Sequence, residues 1–240
     1  MKEVRVGCCG FPVSMAKYMA NLEVVEVQKT FYRLPELKTA AKWREQAPQG
    51  FEFVIKAPQL ITHPPQSPTY RKAGIEIPPE KRDAYGYFRD TEEVAKALEG
   101  TLAFARELGA SKILFQTPAS FKPTETNIEN LRKFFSGAPR ENFTFIWEPR
   151  GPWSEERLLE ICRELKIVHA VDPFKVRFLH GEFAYFRLHG RGKGYSYDYS
   201  DEELRELMGF LPEDRPSYVM FNNTMMWKNA LRFRELHQKA

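Results

Sequence analysis

Cysteine is scarce in this chain of 240 residues: Cys8, Cys9 and Cys162 are its three thiols. An odd count with two adjacent members builds no disulfide framework, and Cys8-Cys9 is not the CxxC of a zinc or thioredoxin site. The reading is reduced core thiols in a cytoplasmic protein. Long hydrophobic runs are missing as well. No stretch approaches the roughly 20 apolar residues of a membrane span, so no membrane partner is expected. The opening EVRVGCCG runs straight into a strand pattern without a signal-peptide layout. No one sign of charge dominates: 36 Lys and Arg stand against 32 Asp and Glu, net +4. That balance permits an anionic ligand or nucleic acid without arguing for either. Neither a GxGxxG nor a Walker loop occurs, which weighs against a doubly wound nucleotide-binding sheet.

What is present is enough apolar material for a sizeable core, 42% of residues, with 14% aromatic. The length suits one closed α/β barrel, read as a single domain over 1–240. Eight short apolar runs predict strands near 4–9, 22–28, 51–56, 112–116, 143–148, 167–171, 183–189 and 217–221. Several are almost continuously apolar, as in strands covered on both faces. Helical periodicity fills most gaps, at 35–46, 126–136 and 225–238, and three further helices carry start signals. Asp90 with Glu93, and Ser200 with Glu203, have capping-box spacing; Ser154 precedes Glu155 and Glu156; Gly109 is a stop. The first crossover holds at most a short helix, and the sixth is too short for one that packs on a sheet. Strands alternating with helices in this number predict a TIM-type (β/α)8 barrel. Residues 57–90, rich in Pro, Lys and Tyr, are expected as a long rim or lid loop after strand three.

In such a barrel the chemistry sits at the C-terminal strand ends. Here those ends share a format: Lys56-Ala57-Pro58, Gln116-Thr117-Pro118, Glu148-Pro149 and Asp172-Pro173. Proline stops a strand and holds its predecessor extended. Glu148 shares a strand face with Thr144 and Ile146, and Arg150 can fall on the same side. Glu26 lies in an otherwise apolar register and must be paired or neutralised. Arg187 and His189 share a face at period two. After them Gly190, Gly192 and Gly194 interleave with Arg191 and Lys193, a pattern that can present backbone N–H groups and cations to an anion. Asn222 ends the last strand, Asn223 is expected to cap the final helix, and His169 is expected as a satisfied core histidine. Cys9, at the end of strand one, is a weak nucleophile candidate. No HExxH or HxH spacing appears, so no metal ligand is assigned. Barrel ligands come from separate strands, however, and spacing leaves a divalent metal open as an unknown cofactor.

These residues fall in an ordered set of short motifs. They are Gly7-Cys8-Cys9-Gly10-Phe11, Glu26-Val27-Gln28-Lys29-Thr30-Phe31-Tyr32, Phe53-Val54-Ile55-Lys56 with Ile61-Thr62-His63, Leu114-Phe115-Gln116-Thr117-Pro118, Glu148-Pro149-Arg150, Arg187-Leu188-His189-Gly190, and Phe221-Asn222-Asn223-Thr224 with Asn229-Ala230. Over nearly its whole length the chain resembles the YecE-like family, domain of unknown function 72. The resemblance implies a TIM-type barrel and no established reaction. Phe11 stands where that family usually has Trp, and Gln28 where it has Asn; its Ser-Trp appears here as Trp153-Ser154. The expected catalytic set is Glu148, Glu26 and His189. The expected substrate-binding set is Lys56, His63, Arg150, Arg187, Asn222, Gln116 and Tyr32. The first expectation is an enzyme for a small anionic substrate, phosphorylated or carboxylated. A nucleic-acid-binding or repair-nuclease-like barrel, with Tyr70, Tyr85, Tyr195 and Tyr197 as exposed aromatics, is the second. A non-catalytic ligand-binding module is the third. The oligomeric state is not legible.

Overall fold

The structure, a computed structural model, describes residues 3–140, 142–192 and 194–239. Eight strands close into one parallel barrel in chain order: β1 (Val4–Cys9), β2 (Val24–Val27), β3 (Glu52–Lys56), β4 (Lys112–Gln116), β5 (Thr144–Glu148), β6 (Val168–Val171), β7 (Ala184–Leu188) and β8 (Ser217–Phe221). Their helices are α1 (Met15–Met19), α2 (Lys29–Tyr32), α3 (Leu37–Gln46), α4 (Gln59–Thr62), α5 (Pro68–Lys72), α6 (Glu92–Leu108), α7 (Glu125–Gly137), α8 (Glu155–Glu164), α9 (Asp201–Met208) and α10 (Met226–Gln238). Among the described residues no helix intervenes between β6 and β7, as the short gap predicts, and the helix after β1 has five residues.

Side chains alternate between two cores because strand period is two. Outward residues such as Phe53, Phe115, Phe145, Trp147, Phe186 and Phe221 pack against the helices. Inward residues fill the barrel in tiers, as the parallel closed geometry requires. The lowest tier is polar: Glu52 takes Lys112 at 2.5 Å, Arg5 at 3.1 Å and the Tyr218 hydroxyl. Above it lies a largely apolar tier that includes Val24, Val54, Leu114, Ile146 and Tyr185. The uppermost tier, two residues on along each strand, carries Cys9, Glu26, Lys56, Gln116, Glu148 and Arg187.

Ser200 and Glu203 form the expected capping box, Ser154 accepts from Arg157 N, and Gly109 closes α6 at φ +66°. Two caps differ from expectation. Thr91, not Asp90, caps α6, because its hydroxyl reaches Val94 N. Asn223 does not cap α10, whose N-cap is Met225. Its amide donates instead to Tyr197 O and Asn229 Oδ1, both at 2.7 Å, which ties the segment after β7 to the end of β8. Residues 57–90 hold α4, α5 and a 3₁₀ turn at Pro79–Ala84. The strap is pinned where Gly86 N meets Leu60 O and Phe88 N meets Ile61 O. Tyr70, expected to be exposed, is buried at 2%, and its hydroxyl donates to His63 O.

Gly7 is the inward residue of β1 in the apolar tier, opposite Val24 and Met220. A Cβ there would lie 2.3 Å from Val24 O and 2.9 Å from the Met220 side chain. Gly7→Ala is therefore expected to destabilise the fold by about 1–3 kcal/mol, the usual cost of overpacking a core. A urea unfolding midpoint equal to the parent's would show that β2 can move away at no cost.

Candidate active site at the C-terminal mouth of the barrel

Arg187, on β7, is wholly buried at the centre of the upper tier. All five of its N–H groups meet acceptors. Nε and Nη2 grip Glu26 at 3.0 and 2.8 Å in a fork. Nη1 donates to Glu148 Oε2 and, at 3.4 Å, to Gln116 Oε1; Nη2 also lies 3.7 Å from Cys9 Sγ. Glu26 takes two more donors, the Tyr185 hydroxyl at 2.8 Å and Gln28 Nε2. The longer Gln28 side chain, departing from the family's Asn, is thus used to reach back onto Glu26. Lys56 Nζ donates to Gln116 Oε1 at 2.8 Å and sits 4.0 Å above the Phe31 ring.

Toward solvent the cluster continues through Glu148. Its Oε1 takes Arg150 Nη2 at 2.9 Å, and the same nitrogen lies 2.6 Å from His189 Nε2. An arginine only donates, so this contact assigns the His189 proton to Nδ1. Nδ1 lies 3.4 Å from Asp172 Oδ2, close but outside hydrogen-bond geometry, and Asp172 takes the His189 backbone N–H at 3.3 Å. Arg150 is the first member of this chain with substantial exposure; its side chain is 32% exposed.

Burial and charge explain the titration of these groups. Burial alone would raise Glu148, but Arg187 and then Arg150 outweigh it and hold the carboxyl at about 2. Glu26 is lowered in the same contest, with burial opposed by Arg187. Burial and the neighbouring Arg187 bring Lys56 down to about 8. Burial lowers His189, leaving a neutral ring, although the Asp172 contact opposes that shift. Burial, with Lys56 nearby, brings His63 to about 3. Cys9 is raised far above an ordinary thiol by burial and by Glu26, so it is no thiolate nucleophile.

The structure brings Glu26, Lys56, Gln116, Glu148, Arg150, Arg187 and His189 into one connected cluster. His63 flanks it, its ring edge-on to Phe31 at 4.9 Å and Nδ1 2.8 Å from Thr62 Oγ1. Tyr32 is farther out, its ring contacting Phe31 and Lys72. Asn222 follows β8 at the same end, half-buried, with its backbone N–H on Leu188 O.

The anion cradle expected at Arg187 and the glycine loop is not what the described residues form. Arg187 has no donor to spare. Gly190, at φ +92°, gives its N–H to the Tyr199 hydroxyl, and a Cβ there would strike Tyr197 at 2.5 Å. Arg191 turns to Glu206 at 2.6 Å. Lys193 lies outside the described residues. His169 is buried as expected but not satisfied, since its Nδ1 has no partner among the described residues. Sequence reasoning overlooked Tyr185 and gave Asp172 no site role. Both signals were there: Tyr185 shares the period-two face of Arg187, and Asp172 shares the strand-end format of Glu148. Among the described residues no group of three or more His, Cys, Asp or Glu is disposed to hold a metal ion.

Replacing Glu148 tests this ion-pair arrangement. Glu148→Gln leaves Arg187 and Arg150 facing a neutral amide and is expected to cost about 3–5 kcal/mol at neutral pH, as breaking a buried pair does. A carboxylate depressed by folding contributes stability that is complete above its unfolded pKa and is lost as pH falls through the folded value. For Glu148 that window runs from the ordinary 4.5 down to about 2. Urea midpoints measured across it should fall steeply in the parent and less steeply in Glu148→Gln. Parallel slopes would show that Glu148 is not the titrating partner.

Comparison with known proteins accords with this architecture. A family model described as a protein of unknown function, DUF72, matches residues 12–240. The chain is 23% identical over 244 residues to the UPF0759 protein YunF of Bacillus subtilis (strain 168), covering 86% of this chain and 79% of that one. A solved DUF72 family protein from Enterococcus faecalis V583 superposes with a TM-score of 0.74 at 20% identity, over 99% of this chain and 98% of the other. Endonuclease IV from Thermus thermophilus is similar in fold, with a TM-score of 0.57 at 13% identity, over 98% of this chain and 100% of that one. With the family model spanning nearly all of the barrel, as the ordered motifs implied, the chain belongs to the DUF72 family of proteins of unknown function.

Proposed function

We propose that the protein is an enzyme acting on a small anionic substrate, phosphorylated or carboxylated, by acid–base chemistry at the C-terminal mouth of the barrel. One observation carries this reading. A neutral histidine, His189, is held between the Asp172 carboxylate and the partly exposed Arg150, whose guanidinium it shares with Glu148. Asp172, 3.4 Å from Nδ1, stabilises the imidazolium that forms when Nε2 takes a proton, as carboxylates behind catalytic histidines do. Nε2 becomes available when the substrate's negative charge draws Arg150 toward itself. Lys56 supplies a second cation, and Asn222 and His63 are the polar groups that flank it. Glu26 and Glu148 are positioning residues in this scheme. They hold Arg187 and Arg150, so the mouth keeps a fixed field before any substrate enters.

A second reading, a nucleic-acid-binding or repair-nuclease-like barrel, is supported by one feature. Tyr195 is 55% exposed, and its ring stands edge-on to His189 at 5.8 Å, where a base could stack. Oligonucleotide affinity that falls steeply with salt would favour this reading over the first.

The acid–base scheme is tested by His189→Asn and Asp172→Asn against a panel of sugar acids, short carboxylic acids and phosphoesters. The first is expected to lower turnover by about 10²–10⁴-fold, the usual contribution of general acid–base catalysis, with little change in KM. Asp172→Asn should lower kcat and alter the pH profile of kcat/KM, because it frees the ring to take the other tautomer. Full turnover in His189→Asn would refute the scheme.

A further inference from the structure

Beside Arg150, between the C-terminal ends of β5 and β6, lies a cavity of about 130 Å³, roughly the liquid volume of four water molecules. Trp153, Leu158 and Val176 give it an apolar lining. Arg150, His169 and Lys175 line it too, with the carboxylates of Glu148 and Asp172, and Arg150 and His169 have unmet hydrogen-bonding groups. Arg150 Nε is buried and has no acceptor among the described residues, and His169 Nδ1 is buried without a partner. His169 is 1% exposed, and burial brings its pKa to about 4, so its ring is neutral. Buried polar atoms in native proteins are almost always paired. Two unpaired ones on the lining of a single cavity mark a place for a ligand that hydrogen-bonds.

The charge of the barrel mouth indicates the ligand's sign. Glu148 is already matched by Arg187 and Arg150. Asp172 is matched by Lys175 at 3.3 Å and by the backbone N–H groups of Phe174 and His189. On the cavity's own lining Arg150 and Lys175 balance Glu148 and Asp172, and across the rest of the mouth Lys56 and Arg187 stand against Glu26 alone. One negative charge restores neutrality; two would exceed it.

We infer that this cavity binds the carboxylate of a small monoanionic ligand, held by Arg150 Nε and Lys175 Nζ, with a short carbon stem against Trp153, Leu158 and Val176. The inference rests on the acid–base reading and selects the carboxylate from its two substrate classes. A phosphoryl dianion would overcharge the site and leave the apolar lining uncovered. A carboxylate bound here lies one guanidinium away from His189, because Arg150 Nη2 contacts His189 Nε2.

The test is a titration of the full chain with acetate, propionate, phosphate and sulfate at matched ionic strength, read by melting temperature and by calorimetry. Acetate and propionate are expected to raise the melting temperature progressively, as a ligand of the native state must. Phosphate and sulfate should match a chloride control. Arg150→Gln is expected to weaken acetate binding at least about tenfold, the loss of a charge-assisted contact. Val176→Trp fills the cavity from a position that is 43% exposed; it leaves every charge in place and should abolish binding even if Arg150→Gln folds poorly. The inference is overturned if no carboxylate-specific shift occurs, if phosphate binds more tightly, or if acetate binding survives in Val176→Trp. Its failure is distinct from failure of the acid–base reading. Acetate binding retained in an active His189→Asn enzyme would remove that reading and leave the cavity's ligand standing. Loss of turnover in His189→Asn with no carboxylate binding would do the reverse.

Discussion

A guanidinium removed from water is tolerated only where each donor meets an acceptor and its charge meets an opposite charge. Arg187 meets both conditions through Glu26, Glu148, Gln116 and Cys9, which come from four other strands. Each of those residues must face inward and stand at the height of the arginine. A one-residue slip in any of the four strands would turn the partner to the helical side and strand the charge. The upper tier therefore acts as a check on barrel register, while the apolar tier beneath it supplies the bulk of the hydrophobic burial inside the barrel.

The same cluster shapes what the mouth can do. Its floor is closed off from the surface: Arg187, Glu26 and Tyr185 are fully buried, and both Arg187 and Tyr185 donate to Glu26. Exposure increases outward, through Glu148 to Arg150 and from Asp172 to Lys175, whose side chain is about half exposed. Groups on the floor cannot reach a substrate, but they set the field in which the outer groups titrate. Lys56 shows this directly, since the adjacent Arg187 adds to burial in bringing its ammonium down to about 8. The chemistry proposed for His189 belongs to the boundary between these zones. There a ring can change protonation without unsettling the paired charges below it.

The fold itself carries little information about reaction. Proteins as far apart as the Enterococcus faecalis DUF72 protein and endonuclease IV share its outline at 20% and 13% identity with this chain. A barrel of this type hosts unrelated chemistries through its loops and strand ends. In this chain the segment after β7 is bound to the residues that follow β8. Asn223 and Asn229 anchor the segment after β7, and Tyr197 and Tyr199 pack over Gly190. The glycines there serve close packing of aromatic rings, which explains why a run that reads as an anion loop does not present free N–H groups at Gly190.

Strand alternation and the proline stops were legible in the chain, and they were enough to put Glu26, Lys56, Gln116, Glu148 and Arg187 at one end of the barrel. The physical reason is local. A period of two assigns faces, proline ends a strand, and a parallel closed sheet gathers all C-terminal ends on one side. Which charges meet was not legible. Arg187 is 161 residues from Glu26 and 39 from Glu148 along the chain. Their pairing depends on barrel closure and on the reach of long side chains. For that reason Arg187 read as a substrate cation and emerges as a buried keystone, and His169 read as satisfied and emerges with an unpaired nitrogen. Periodicity and turn chemistry determine where each residue stands, since they act between chain neighbours. Burial, partner and protonation state were decided only by the tertiary structure, because each depends on what the closed barrel brings within hydrogen-bonding distance.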